Sequence, residues 1–463
     1  MPIKSRTKTQ MPMLDPIERR SVFNEVNQGY DAPRAVFEAK RCLECQSPDC
    51  EMGCPVKVPI QKMAHLMVGG HFEDALRAVK AVNSLPAVCG RVCPQETQCE
   101  QYCHMGKRFS PVGIGFLERF LADWEMEVGR IHEELPELRS EKIAVVGSGP
   151  AGLTVAGDLA RLGYPVKIFE ALHQPGGVLR YGIPEFRLPN HILDFEIDGL
   201  RRLGVEIECN VVVGKIVTLE ELLEEYAAVF LGTGAGLPTF LRIPGENLTG
   251  VYSANEFLTR VNLMSGYKFP EYDTPARAGR RTIVVGAGNV AMDSVRSAMR
   301  LGADEAIIVY RRTIKEMTAR IEEYEHAVEE GVQFHWLTTP VKVLGNDRGW
   351  VRAIELEKMK LGEPDASGRA RPVPTGETFT MDCDAFVVAI GTSPNPLIAG
   401  CTPELDTERW GGLIVNEETG ETSMDRVYAA GDIVTGSATV IAAAGNGKDV
   451  AAAIHKRLSG GRQ

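Results

Sequence analysis

The chain repeats one supersecondary unit, and that repeat restricts its fold more than any other feature. KIAVVGSGPAGLTVAGDLARLGYPVKIFEA (142–171) and RTIVVGAGNVAMDSVRSAMRLGADEAIIVYRRT (281–313) each read as strand, glycine turn, helix and strand. A buried strand leading through a tight turn into a helix and back to a parallel strand builds a doubly wound α/β sheet. Two such units imply two Rossmann-like dinucleotide-binding domains. Between them VEIECNVVV and AVFLGTGA read as strands completing the first sheet. VQFHWLTTPVKVLG and VRAIELEKMKL read as a strand meander, and AFVVAIGTSPNP repeats the pattern of AVFLGTGAGLP. The segment from RVYAAGDIVTG onward reads as a return to the first sheet, so the second domain is expected to be inserted in the first.

The glycine turns carry binding chemistry. Gly147, Gly149 and Gly152 form GxGxxG after a strand, with Pro150 and Ala151 opening the helix. The first glycine permits the turn, the second lets a pyrophosphate approach the backbone, and the third allows close helix–strand packing. The helix amino terminus adds partial positive charge. Glu170 ends the second strand, placed to accept hydrogen bonds from an adenosine ribose. The second loop, Gly286-x-Gly288-Asn289-Val290-Ala291, has alanine in the third place, and its second strand ends in Arg311-Arg312. A carboxylate there would repel a 2′-phosphate, whereas guanidinium groups pair with it, so this loop is expected to prefer NADP(H). Arg320 follows closely and is a further candidate for the phosphate.

Cysteine is crowded into the first quarter of the chain. Eight of eleven lie between Cys42 and Cys103, as Cys42-x2-Cys45-x4-Cys50-x3-Cys54-Pro55 and Cys89-x3-Cys93-Pro94-x5-Cys99-x3-Cys103. Thiolates are soft ligands for iron–sulfur clusters or zinc. A structural zinc site usually pairs two CxxC knuckles; only one occurs here, and two cysteines precede proline, as in ferredoxin-like runs. Iron–sulfur ligation leads, with structural zinc the other option. Two four-iron clusters need eight ligands. Cys89 could instead pack as a small buried hydrophobe, and Glu118 in GIGFLERF follows closely enough to supply an oxygen, although alone it reads as a solvated helix carboxylate.

Length and charge bound the rest. At 463 residues about three domains are expected. The boundaries read as 1–140, helical and cysteine-bearing; 141–265, the first part of the first dinucleotide domain; 266–382, the second dinucleotide domain; and 383–463, the second part of the first. The net charge of −11 argues against nucleic-acid and membrane partners. No apolar run reaches the roughly 18 residues of a membrane span, and the amino terminus lacks a signal-peptide apolar region. The chain is expected in the cytoplasm.

With two loops and two cysteine sets in this order, the chain resembles the small subunit of glutamate synthase and its relatives. These include the larger subunit of NADH-dependent reduced ferredoxin:NADP+ oxidoreductase and the amino-terminal half of dihydropyrimidine dehydrogenase. The resemblance runs from RCLECQSPDCEMGCP through LPAVCGRVCPQETQCEQYC to AAGDIVTGSATVIAAAGNGK. It implies FAD in the first dinucleotide domain, NADP(H) in the second, and two [4Fe-4S] clusters in an α-helical ferredoxin-like domain. By position, one cluster would take Cys42, Cys45, Cys50 and Cys103; the other would take Cys54, Cys93, Cys99 and Glu118, leaving Cys89 unligated. Flavin contacts would map to Gly176, Gly177, Leu179, Arg180, Tyr181, Arg187, Gly431, Asp432, Thr439 and Val440. One departure stands out: relatives commonly read Met-Pro-Ala-Arg where this chain has Met317-Thr318-Ala319-Arg320, which loosens the turn before Arg320.

The resemblance implies an electron-transfer subunit that exchanges hydride with NADP(H) and passes single electrons to a partner. The opening KTQMPMLDPIERRSVFNEVNQGY and the segment GIPEFRLP look more like the bifurcating ferredoxin:NADP+ oxidoreductase group, whose partner is a small FAD and [2Fe-2S] subunit, with ferredoxin as acceptor. Arg187 is the expected catalytic residue, a permanent cation holding anionic reduced flavin. The alternative is the NADPH-oxidising small subunit of glutamate synthase, with a large amidotransferase subunit as partner.

Overall fold

The computed structural model describes residues 5–365 and 368–460. The amino-terminal region is built from helices, chiefly Ala32–Ala39, Ile60–Val68, Phe72–Lys80, Pro86–Val92 and Ile114–Val128. Their spacing explains them. Ile60, Met63, Ala64 and Met67 recur every three or four residues and are buried, as are Ala75, Leu76 and Val79 in the next helix. Asp31 caps the helix Ala32–Ala39 by accepting from the Arg34 amide. Residues 131–139 carry no helix or strand and lead into the first sheet strand.

Two five-stranded parallel sheets follow. The first orders its strands Val427–Ala429, Ala228–Leu231, Ile143–Val146, Val166–Glu170 and Glu206–Cys209. The second runs Val251–Ser253, Ala385–Val388, Arg281–Val285, Glu305–Tyr310 and Gln333–Trp336. The glycine-loop strand is central in both, and AFVV lies beside it as AVFL does in the first, the equivalence their shared pattern suggested. Thr338–Gly345, Val351–Pro364 and Ala370–Asp382 form a separate antiparallel sheet.

This pairing corrects three expectations. Val251–Ser253 lies before residue 266 and Ala385–Val388 after 382, yet both pair into the second sheet, so that domain reaches beyond 266–382 at both ends. Gln333–Trp336 joins the parallel sheet rather than the meander. Short apolar strands carry no mark of their partner; parallel pairing is set by distant segments.

The helical region rests on the first sheet's helices, and their apolar side chains merge into one buried core. Ala87 donates its amide to Glu196 Oε1 at 2.6 Å. The chain before it reaches the second domain: Phe23 stacks on Tyr267 at 4.0 Å, and Arg19 Nε lies 3.0 Å from Glu330 Oε1.

Candidate active site

Each glycine loop is fixed by the strand beside it. Gly147 has φ +99°, and a Cβ there would sit 2.5 Å from the Gly232 carbonyl oxygen; at Gly286, φ +130°, it would sit 2.2 Å from the Ala389 carbonyl oxygen. Side chains are excluded by backbone on both counts. Gly149 differs: nothing lies within 4 Å of where its Cβ would be. That open cradle, at the start of the helix Pro150–Arg161, suits a pyrophosphate. Ala291 is fully buried, which accounts for alanine in the third place.

Glu170 is buried at its strand end, where its carboxylate accepts from the Ser148 amide at 2.9 Å, the Ser148 hydroxyl, and the Leu172 amide at 2.8 Å. Ser148 Oγ in turn accepts from the Gly176 amide at 2.8 Å. Ser148 thus ties the loop to both Glu170 and the Gly176-Gly177 turn. Sequence reasoning passed over it, although its place between two motif glycines was a usable signal. Asp432 follows Gly431 and accepts from the Ala438 amide at 3.2 Å; burial raises its carboxyl. Burial, with the Asp432 and Glu170 carboxylates nearby, pushes the Tyr181 hydroxyl up to about 12. Thr439 caps the helix Val440–Leu458, its hydroxyl accepting from the Ala442 amide at 3.2 Å.

Four of the candidate arginines are engaged by protein partners. Leu179 is buried, and the Arg180 guanidinium is held by the Pro175 carbonyl at 3.2 Å, Asn190 Oδ1 at 3.0 Å and Asp194. Arg187 does not stand free to face a flavin. Its Nη1 donates to both oxygens of Asp293, at 2.8 and 2.7 Å, and its Nε lies 3.0 Å from Glu323 Oε1 without hydrogen-bond alignment. Both acids belong to helices of the second domain, so Arg187 bridges the domains. Burial alone would lower its pKa, but Asp293 and Glu323 raise it.

Arg311 and Arg312 separate. Arg312 is buried and donates to the Ala370 carbonyl at 2.8 Å and to Asp365 Oδ2 at 2.6 Å, anchoring the antiparallel sheet. Arg311 is exposed and free of ion pairs among the described residues. Arg320 is also held by protein groups. Its guanidinium donates to the Arg91 carbonyl at 3.1 Å, Gln95 Oε1 at 3.2 Å and Glu322 Oε2 at 2.8 Å, and approaches Glu96 Oε1 at 3.4 Å. The turn before it is not loose: the Thr318 and Ala319 amides donate to the Ala287 carbonyl at 3.2 and 3.1 Å. A proline at 318 would lack the first of these donors. Asn289 Oδ1 accepts from the Arg320 amide at 2.9 Å, and Val290 is exposed.

The cysteines fall into two groups. Cys42, Cys45, Cys50 and Cys103 line one largely apolar, partly open pocket with Ile60, Val112 and others. Burial, then Cys103 and Cys42 beside it, push the Cys50 thiol up to about 12. In the second group, burial and Glu118 push Cys54 up to about 11, and Cys93 is raised by its hydrogen bond with Cys89 and by burial, with Glu118 and Cys99 adding to it. Glu118 is buried, not a solvated helix carboxylate: burial carries it to about 7 against the Asn83 amide that donates to Oε1 at 2.7 Å. Cys89 is buried, with its thiol 3.7 Å from Asn83 Oδ1. Among the described residues no three His, Cys, Asp or Glu side chains close on a single ion.

Comparison with known proteins agrees with this geometry. Residues 19–130 match dihydropyrimidine dehydrogenase domain II, 4Fe-4S cluster, and residues 133–447 match pyridine nucleotide-disulphide oxidoreductase. The glutamate synthase [NADPH] small chain of Azospirillum brasilense is 36% identical over 97% of this chain and 94% of its own length. The NADP(+)-dependent formate dehydrogenase subunit beta of Moorella thermoacetica is 37% identical over 89% of this chain and 60% of its own. The structure of FprA from Mycobacterium tuberculosis (24% identity, TM-score 0.58) covers 69% of this chain and 85% of that one, showing the shared nucleotide-binding fold. A helical [4Fe-4S] domain, two nested Rossmann-type sheets and full-length similarity together make the chain an oxidoreductase belonging to the glutamate synthase small-subunit family.

Proposed function

We propose that this chain is the NADP(H)-linked electron-transfer subunit of a larger complex, holding FAD at the first glycine loop, NADP(H) at the second and two [4Fe-4S] clusters in the helical domain. When bound, the flavin exchanges hydride with nicotinamide and the clusters carry single electrons. The chain's own residues supply the holding. Ser148 and Glu170 brace the first loop, and Gly149 leaves backbone open to a pyrophosphate. The nineteen-residue helix after Thr439 presents free amides at its start, a place for the negative charge of a reduced flavin. Arg311 is left to read the 2′-phosphate.

The observation that carries the reading is the grouping of Cys42, Cys45, Cys50 and Cys103 around one pocket, the ligand set expected for one cluster. Cys54, Cys93, Cys99 and Glu118 make the second set, with Cys89 outside it. The set is joined to the flavin side: Pro55 packs against Gly445 of the last helix, where a Cβ would come within 3.0 Å of it. The partner is a second subunit. With Arg187 engaged by Asp293 and Glu323, one of the grounds for bifurcation by a ferredoxin:NADP+ oxidoreductase weakens, beside the opening segment and GIPEFRLP, and the glutamate synthase-like assembly is favoured.

Anaerobic NADPH titration followed in the visible range tests the reading. Flavin bands and a broad iron–sulfur shoulder should both bleach, with about eight irons per chain, four for each cubane cluster. A colourless protein, or zinc in place of iron, overturns it. Purification with the bound partner separates the assemblies: a large amidotransferase subunit indicates glutamate formation, a small FAD and [2Fe-2S] subunit indicates bifurcation.

A further inference from the structure

Arg320 was expected at a phosphate and is found inside the protein, and what it touches at each end matters. At its backbone, the amide donates to Asn289 Oδ1 at 2.9 Å, and Asn289 directly follows Gly288 in the second glycine loop. At its side chain, the guanidinium holds the Arg91 carbonyl and Gln95 Oε1, at 3.1 and 3.2 Å, with Glu96 at 3.4 Å. Those three residues enclose Cys93-Pro94. Arg320 and Gln95 are both buried, so the guanidinium end cannot exchange its partners for water without a penalty, while Asn289 at the backbone end is half-buried. The planar fork fixes both acceptors at once, which a lysine could not do.

We infer that Arg320 is a positioning residue that couples occupancy of the nicotinamide loop to the surroundings of the Cys93 ligand. This rests on the proposed second cluster and on NADP(H) binding at the second loop. A nucleotide seated on Gly288 and Asn289 bears on the Arg320 backbone, and the rigid guanidinium carries any shift to the Arg91–Glu96 segment. Such coupling is reciprocal: if NADP+ changes the cluster's reduction equilibrium, cluster reduction changes NADP+ affinity by the same factor. A factor of about ten, near the lower end of ordinary allosteric coupling, corresponds to roughly 59 mV for a one-electron couple.

Redox titration of the reconstituted holoenzyme, followed by electron paramagnetic resonance with and without saturating NADP+, reads this directly. Iron content and NADP+ binding are measured first; if either is missing, the proposed function fails rather than this inference. In the native chain NADP+ should shift the reduction equilibrium of one cluster about tenfold and leave the other in place. It should also change amide hydrogen exchange across residues 91–96. Arg320→Lys and Asn289→Ala, which cut the strut at opposite ends, should each abolish both effects while retaining eight irons. No shift in the native chain overturns the inference, and so does a shift that survives in both variants. Should Arg320→Lys assemble poorly, Arg320→Gln is read in its place, and the Asn289→Ala result counts only where calorimetry shows NADP+ still saturating that variant.

Discussion

Arg311 and Arg312 are neighbours on a strand end, so their side chains leave on opposite sides, one into solvent and one onto the antiparallel sheet. In the proposed NADP(H) site, Arg311 is the member of the pair left to a 2′-phosphate. A hydrogen bond to a charged group contributes roughly 1.5–3 kcal/mol, so Arg311→Ala should weaken NADPH binding about ten- to a hundredfold and leave NADH binding nearly unchanged. Arg312→Ala should reduce thermal stability, with a smaller effect on affinity, because it removes the donor that ties Asp365 Oδ2 to the Ala370 carbonyl. Calorimetric titration with both nucleotides, beside melting curves, tells the two roles apart; equal loss for NADPH and NADH in Arg311→Ala would remove it from the phosphate site. Cys89 makes the complementary case. It shares a hydrogen bond with Cys93 and also lies 3.7 Å from Asn83 Oδ1; as a residue outside the proposed ligand set, Cys89→Ser should keep the full iron count, whereas loss of four irons would make it a ligand.

The last helix shows how one element serves two sites. Its first turn is capped by Thr439, and two turns on, Gly445 lies against Pro55, the residue after Cys54. A methyl group at 445 would sit 3.0 Å from Pro55 Cβ and 3.1 Å from its carbonyl oxygen, closer than packed carbons accept without movement. Gly445→Ala should therefore press the Cys54-Pro55 turn outward. Overpacking of this kind costs about 1–3 kcal/mol, and here it should also alter the paramagnetic signature of one cluster. An unchanged spectrum with lowered stability would confine the effect to packing.

Across the whole molecule, three regions meet at a buried network of ions. Glu330 lies 3.0 Å from Arg19 Nε of the amino-terminal segment, 2.7 Å from Arg296 and 2.8 Å from Arg300, while Glu323 faces Arg187 and Arg296. Burial would raise Glu323, but Arg187 and Arg296 hold it at about 2. A carboxylate depressed from its ordinary 4.5 contributes stability that is complete above about 4.5 and lost as pH falls through about 2. Unfolding measured between pH 5 and 2 should show that decline, and Glu323→Gln should flatten it while lowering stability at pH 7. Breaking a buried pair by removing one partner costs about 3–5 kcal/mol, so Arg187→Ala should loosen the second domain from the first. Limited proteolysis would detect that as faster cleavage between them; an unchanged digest would make the bridge dispensable.

Much of this was legible without coordinates. The glycine loops, the strands that precede them and the two cysteine sets are local patterns: a turn that only glycine can make, an apolar run, a spacing of thiols. Local sterics and periodicity act within a few residues, so the sequence alone determined where the glycine loops lie, whereas the fold decided that Cys103 joins Cys42, Cys45 and Cys50 while Cys54 faces Cys99 and Glu118. Tertiary structure decided the rest. Whether Val251–Ser253 and Ala385–Val388 belong to the first sheet or the second depends on partners tens of residues away. The arginines were the least readable residues. Arg180, Arg187, Arg312 and Arg320 each carry a long stem and five donors, and folding brought carboxylates and carbonyls within their reach before any ligand could. A guanidinium binds whichever acceptors the fold gathers around it, and that gathering is written in no single stretch of chain.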